Sequence, residues 1–163
     1  MKRLTIVRHA KSSWDSPQLS DFERPLNKRG RRDSIDMGER LLAAGFKPQA
    51  IVTSPAVRAL TTAQRLAAAM GLPTDSIITE RAIYEASCDA LLDSLWGFDD
   101  RYDDLMLIGH NPGLSAFANA LASKPIDPLV TCAVVVLRFE RESWHTIIPS
   151  EGKLLHYDYP KKG

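Results

Sequence analysis

Leu4-Thr5-Ile6-Val7-Arg8-His9-Ala10-Lys11 is the stretch that decides how this chain folds. Leu4, Ile6 and Val7 form a short apolar, partly β-branched run, which predicts a buried strand. The run stops abruptly at Arg8-His9, so a guanidinium and an imidazole stand at the carboxyl end of a first strand. In an open α/β sheet, that edge is where ligands bind. Arg8 is a permanent cation whose fork matches phosphate oxygens. His9 can be a neutral nucleophile near pH 7.

Working outward, two further segments repeat the pattern of strand, turn and helix. Ala50-Ile51-Val52-Thr53 predicts a second strand, followed by Ser54-Pro55 as a cap and first helical residue. The helix behind it carries Ala56, Ala59, Leu60, Ala63, Leu66, Ala67 and Met70 at helical spacing and stops at Gly71. Arg58 lies in its first turn, where a cation opposes the helix dipole and a bound anion would justify it. Leu105-Met106-Leu107-Ile108 is a continuous apolar run, as a central parallel strand should be. It ends in Gly109-His110-Asn111-Pro112-Gly113, with Asn111 and Pro112 suited to open a helix that carries Leu114, Phe117, Ala118 and Leu121. If these strands are parallel neighbours, Arg8, His9, Arg58 and His110 converge into an anion site for which phosphate is the natural guest.

The remaining segments are read more coarsely. Ser12 to Leu26 is a long polar loop holding Trp14, Asp15, Asp21, Arg24 and Pro25, and loops of that length are usually functional. Asn27 caps a helix to about Ala44, with Ile35, Leu41 and Leu42 as its core face and Gly38 allowing close approach, and Gly45 stops it. Ile77-Ile78 is a weaker strand. Ser87 caps a third helix with Leu91, Leu92, Leu95 and Trp96 as its stripe. Val130 to Phe139 and Trp144 to Ile148 predict a hairpin at the sheet edge, and the tail ending Pro160-Lys161-Lys162-Gly163 is expected to be loosely held.

The totals narrow the function. With 163 residues, 44% apolar and 25% charged, the chain suits one domain, 1–163, with a full core. The 21 basic and 20 acidic residues leave a net charge of +1, which argues against a general nucleic-acid binder. No apolar run is long enough to span a bilayer, and the one after Lys2-Arg3 is too short for a signal peptide. Cys88 and Cys132 are isolated, neither a disulfide framework nor a metal motif, so the cytoplasm is the expected compartment. His9 and His110 could in principle hold a metal, but two arginines beside them would repel a divalent cation and no carboxylate sits at ligand spacing. Ser54 lacks the setting of a nucleophile elbow.

Arg8-His9-Ala10 resembles the Arg-His-Gly signature of the histidine phosphatase superfamily, which has the phosphoglycerate mutase-like fold. Ser54-Pro55-Ala56-Val57-Arg58-Ala59 resembles its second block and Gly109-His110-Asn111 its third. The finer resemblance is to SixA-type phosphohistidine phosphatases. It rests on Arg8-His9-Ala10-Lys11-Ser12, Asp21-Phe22-Glu23-Arg24-Pro25-Leu26 and Gly109-His110-Asn111-Pro112-Gly113. The likeness spans about Lys2 to Phe139, and Ala10 replaces the commoner glycine.

This resemblance implies a three-layer α/β/α sandwich with a mostly parallel central sheet. It implies that His9 is the phosphorylated nucleophile, that Arg8 and Arg58 clamp the phosphoryl group, and that His110 holds its oxygens. Asp21 and Arg24 match a loop pair associated with activity, Arg24 as a substrate contact. The proton donor is left between Asp21 and Glu85. The implied enzyme needs no cofactor or metal and acts on phosphohistidine carried by a phosphotransfer or signalling protein, releasing inorganic phosphate. An imidazole leaves more readily than an alkoxide, which suits a site with an undecided acid. The superfamily's mutases and sugar phosphatases carry insertions over a small substrate, and this chain has little length to spare for one. A phosphatase of small phosphate monoesters and a non-catalytic phosphohistidine-binding module are the alternatives. A mutase fits least.

Overall fold

The computed structural model describes all 163 residues. Six strands, β1 (Lys2–Arg8), β2 (Ala50–Thr53), β3 (Ile77–Thr79), β4 (Asp104–Gly109), β5 (Val134–Phe139) and β6 (Lys153–Asp158), form one sheet in the order β3-β2-β4-β1-β5-β6. The four strands from β3 to β1 run parallel, β5 is antiparallel to β1, and β6 is antiparallel to β5. Four helices, α1 (Lys28–Ala43), α2 (Val57–Met70), α3 (Cys88–Trp96) and α4 (Gly113–Leu121), cover the two faces.

The alternation along each strand decides which face a residue joins. Leu4, Ile6, Val52, Leu105 and Leu107 pack with α3 and α4. Val7, Ile51, Met106 and Ile108 pack with α1 and α2 on the other side. Both sides of the central strands are buried, which is why they read as continuous apolar runs. The result is the three-layer α/β/α sandwich expected.

Four local expectations are corrected. The partner of β5 is β6, not Trp144–Ile148. Trp144–Thr146 is a 3-10 turn, because the Trp144 indole is fully buried and donates to Tyr102 O at 2.9 Å. β6 is not marked by the sequence because its Leu154-Leu155-His156-Tyr157 run lacks the clean alternation of a half-buried strand. The tail beyond it is tied down: Arg40 donates to Tyr159 O at 3.2 Å and to Pro160 O at 2.9 Å. On α1, Leu41 is buried as expected, but Ile35 and Leu42 are exposed. The true core face carries Met37 and Leu41 among the small residues Gly30, Ser34 and Gly38, which let α1 close onto its neighbours. A Cβ at Gly30 would collide with the Lys11 backbone, so this glycine seats α1 against the chain just after His9. Finally, α2 begins at Val57, and Ser54 is not its cap.

Candidate active site

The order β2-β4-β1 makes the three strands of the recurrent pattern neighbours, so their carboxyl ends lie side by side. In register, Arg8 pairs with Gly109 and Thr53 with Ile108. The residues just beyond these pairs are His9, Ser54 and His110. His9 N–H donates to Gly109 O at 3.1 Å, and Cys132 N–H donates to the Arg8 and His9 carbonyls at 3.0 and 3.2 Å. The sheet therefore grips the backbone on both sides of the strand end. Thr62 of α2 accepts from Ala10 N–H at 3.0 Å and donates to Arg58 O at 2.7 Å, which fixes α2 relative to β1.

A cleft of about 210 Å³ opens at this edge. Arg8, His9, Arg24, Arg58, Glu85 and His110, each singled out from the sequence, all line it. The two imidazole centroids are 5.2 Å apart. His9 is 7% exposed, and burial, with His110, Arg58 and Arg8 adding to it against the Ala10 hydrogen bond, lowers its pKa to about 3. For His110, burial and then Arg58 lower the pKa to about 4. Both rings are neutral near pH 7.

Hydrogen bonds decide which ring nitrogen is available. His9 Nδ1 lies 2.8 Å from Ala10 O. A carbonyl only accepts, so Nδ1 carries the hydrogen and Nε2 keeps its lone pair. His110 Nε2 lies 2.8 Å from Ser54 Oγ. Ser54 Oγ also accepts from Ala56 N–H at 3.2 Å, and its O–H is available to His110 Nε2. His110 Nδ1, on the other side of the ring, is buried and without a partner. Arg8 Nε is also buried and unpartnered, while Arg8 Nη1 donates to Leu129 O at 3.0 Å. Unsatisfied buried polar nitrogens are costly and need an explanation. Two of them in one cationic cleft suit an anion, toward which Arg8 Nε–H and a protonated His110 Nδ1 can both donate.

Asp21 stands apart from the cleft lining. Its carboxylate accepts from Tyr84 O–H at 2.7 Å, Arg24 Nη1 at 2.9 Å and Arg58 Nη2 at 3.0 Å, and its carbonyl accepts from Arg58 Nη1 at 2.6 Å. Desolvation favours the neutral acid, but the bonds from Tyr84, Arg58 and Arg24 outweigh it and hold the carboxyl well below the usual carboxylate range. It has no proton to give at neutral pH. Arg24 is similarly committed, donating through Nε to Ser13 O at 3.2 Å and through Nη2 to Ser12 Oγ. Glu85 is exposed, lines the cleft and adopts φ +51°. That backbone region is uncommon for a non-glycine residue and is often found at functional sites. Gly113 at the start of α4 abuts the Ala86 carbonyl so closely that a Cβ would collide with it. The close contact keeps the Glu85 segment beside His110.

Sequence reasoning missed Ser54, Thr62 and Tyr84 as members of this assembly. Ser54, expected as a cap, instead hydrogen-bonds His110. Tyr84, beside Glu85, gave no signal because its role depends on a loop 63 residues away. No group of three His, Cys, Asp or Glu side chains is placed to hold a metal ion.

The chain is 30% identical over 159 residues to an uncharacterized chloroplastic protein of Arabidopsis thaliana, covering 93% of this chain and 72% of that one. Among solved structures, the SixA structure of Agrobacterium tumefaciens superposes with a TM-score of 0.80 at 23% identity, covering 98% of both chains. A protein histidine phosphatase SixA complexed with tungstate gives 0.82 at 19% identity, again covering 98% of both. At such identities the likeness is one of fold. Residues 4–91, which carry β1 with its terminal histidine, the Asp21 loop and Arg58, match the model of the histidine phosphatase superfamily, branch 1, and the chain belongs to that family.

Proposed function

We propose that the chain is a metal-independent protein-phosphohistidine phosphatase acting through a phosphohistidine intermediate on His9. The observation that carries this reading is the state of His9. It is a neutral ring with Nδ1 tied to a carbonyl and Nε2 free, inside a cleft lined by Arg8, Arg58 and His110. The Nε2 lone pair attacks phosphorus, and the P–N bond to the substrate imidazole breaks in line. The leaving nitrogen takes up a proton. Water then attacks phospho-His9, the P–Nε2 bond breaks, and inorganic phosphate departs. Arg8, Arg58 and His110 Nδ1–H stabilise charge on the equatorial oxygens during both steps.

Glu85 is the proton donor in this reading, and Asp21 is a positioning residue. Asp21 holds Arg58, Arg24 and Tyr84 in place and stays ionised. The cleft, about 210 Å³, is smaller than the range of about 300–1,000 Å³ typical of sites that enclose a small molecule. It accommodates a phosphoryl group and leaves the leaving group at the mouth, which suits a side chain presented by a phosphotransfer or signalling protein in the cytoplasm.

The test is phosphate release from a phosphohistidine-bearing carrier protein, with and without chelator, by wild type and His9→Ala. Release that ignores chelator and falls at least about 10³-fold in His9→Ala supports the reading. In Glu85→Gln, hydrolysis of an alkyl phosphate is expected to fall far more than that of phosphohistidine, because an alkoxide needs the acid more. Good turnover of small esters with none of phosphohistidine carriers would make the chain a small-ester phosphatase.

A further inference from the structure

Trp14 is the most exposed large apolar side chain in the molecule, at 74%. It lies at the cleft, and every other residue lining that cleft is polar or charged. An indole left in water forgoes the stabilisation that burial gives, and an isolated exposed aromatic beside a functional cleft points to a contact made with something else.

The ring is also held in place. One face rests on the Arg24 guanidinium, whose central carbon is 3.3 Å from the ring centroid. Arg24 is itself fixed by Asp21, Ser12 and Ser13. The backbone next to the indole is pinned as a short antiparallel pairing: Ser13 N–H donates to Pro25 O at 2.8 Å, and Asn27 N–H donates to Lys11 O at 3.0 Å. The ordering of this aromatic surface is thus achieved before any ligand arrives, which is what a stacking platform needs.

We propose that Trp14 is a specificity residue for the leaving group, stacking on the flat ring that carries the phosphoryl group. The proposal builds on the phosphohistidine reading, in which that ring is an imidazole. With the phosphoryl group among Arg8, Arg58 and His110, the leaving group projects from a small cleft whose one apolar surface is the indole. Aromatic rings favour offset-stacked or edge-on contact with such a surface. A sugar or alkyl leaving group gains much less there.

Two pairs of probes test this. Phosphoimidazole and phosphoramidate share the scissile P–N bond, and only the first has a ring. Trp14→Ala is expected to lower kcat/KM for phosphoimidazole by about three- to tenfold, the size of one aromatic contact, with less than about a twofold change for phosphoramidate. Trp14→Phe should recover most of the loss, and Trp14→Leu should not. Phenylphosphonate and methylphosphonate need no turnover, and their binding to wild type and Trp14→Ala asks the same question whether or not phosphohistidine is the substrate. Loss of the preference for phenylphosphonate in Trp14→Ala upholds the platform, even where the phosphohistidine reading itself has failed. Equal losses on both members of each pair would overturn it, making Trp14 a support for Arg24. No change on either member would overturn it as well.

Discussion

The two ends of β1 present opposite ways of burying a cation. At the amino end, Lys2 is fully buried and its ammonium is satisfied. It donates to Asp103 Oδ1 at 2.9 Å and to the carbonyls of Asp100 and Tyr102, each at 3.0 Å. At the carboxyl end, six residues later, Arg8 keeps a buried Nε with no partner, beside His110 with an unpartnered Nδ1. Lys2 is wholly out of water, while Arg8 is half-buried. Of these two cations, only Arg8 leaves a buried donor unused. A satisfied buried cation holds a fold together, and an unsatisfied one is waiting for an anion.

The largest effect that could break this contrast is expected at the unsatisfied end. Arg58→Ala should lower kcat/KM about 10³-fold, as removal of a phosphoryl-stabilising arginine does, while circular dichroism shows a folded protein. Turnover within about tenfold of wild type would reduce Arg58 to a holder of the Asp21 loop. At the satisfied end the opposite pattern is expected. Lys2→Met should cost about 1–3 kcal/mol in urea denaturation, since the Asp100 carbonyl and the Asp103 carboxylate lose their donor, and should leave kcat/KM within about twofold. A marked loss of activity with unchanged stability would reverse the assignment of the two ends.

The smallest and most specific prediction concerns pH. His9 and His110 have folded pKa values lowered to about 3 and about 4, so their contribution to stability is complete above the unfolded imidazole value of about 6.5. As pH falls below that value, the unfolded chain binds protons that the folded one refuses. Stability should therefore decline from pH 7 toward pH 5, approaching about 1.4 kcal/mol per pH unit for each histidine. Urea midpoints measured across that window check it, and His9→Asn should remove one histidine's share. A flat profile in wild type would mean that the rings are not held neutral.

Much of the site was legible in the sequence because strand ends are. Arg8-His9, the segment before Arg58, and Gly109-His110 each follow an apolar run, and the run's end fixes where the polar residue stands. The division of labour between Asp21 and Glu85 was not legible. Both are carboxylates near a loop or turn, and nothing local says that three donors converge on Asp21 while Glu85 lines the cleft. The core face of α1 was misread for a related reason. Hydropathy favours Ile35 and Leu42, whereas Gly30 and Ser34 join Gly38 on the packed face, where small size is what counts. β6 escapes a sequence reading because its Leu154-Leu155 doublet breaks the alternation, and pairing with β5 is what makes it a strand.

The sequence by itself determined the layered α/β plan, the parallel strands at its centre and the residues at their ends, because periodicity and chain breaks are local properties. Tertiary structure alone decided which nitrogen of His9 is free, that Ser54 turns His110, that Asp21 is ionised and occupied, and that Trp14 stands in the open on Arg24. Each of these depends on hydrogen bonds, desolvation or contacts between residues distant in the chain, and such effects exist only once the sheet has brought the ends of β1, β2 and β4 together.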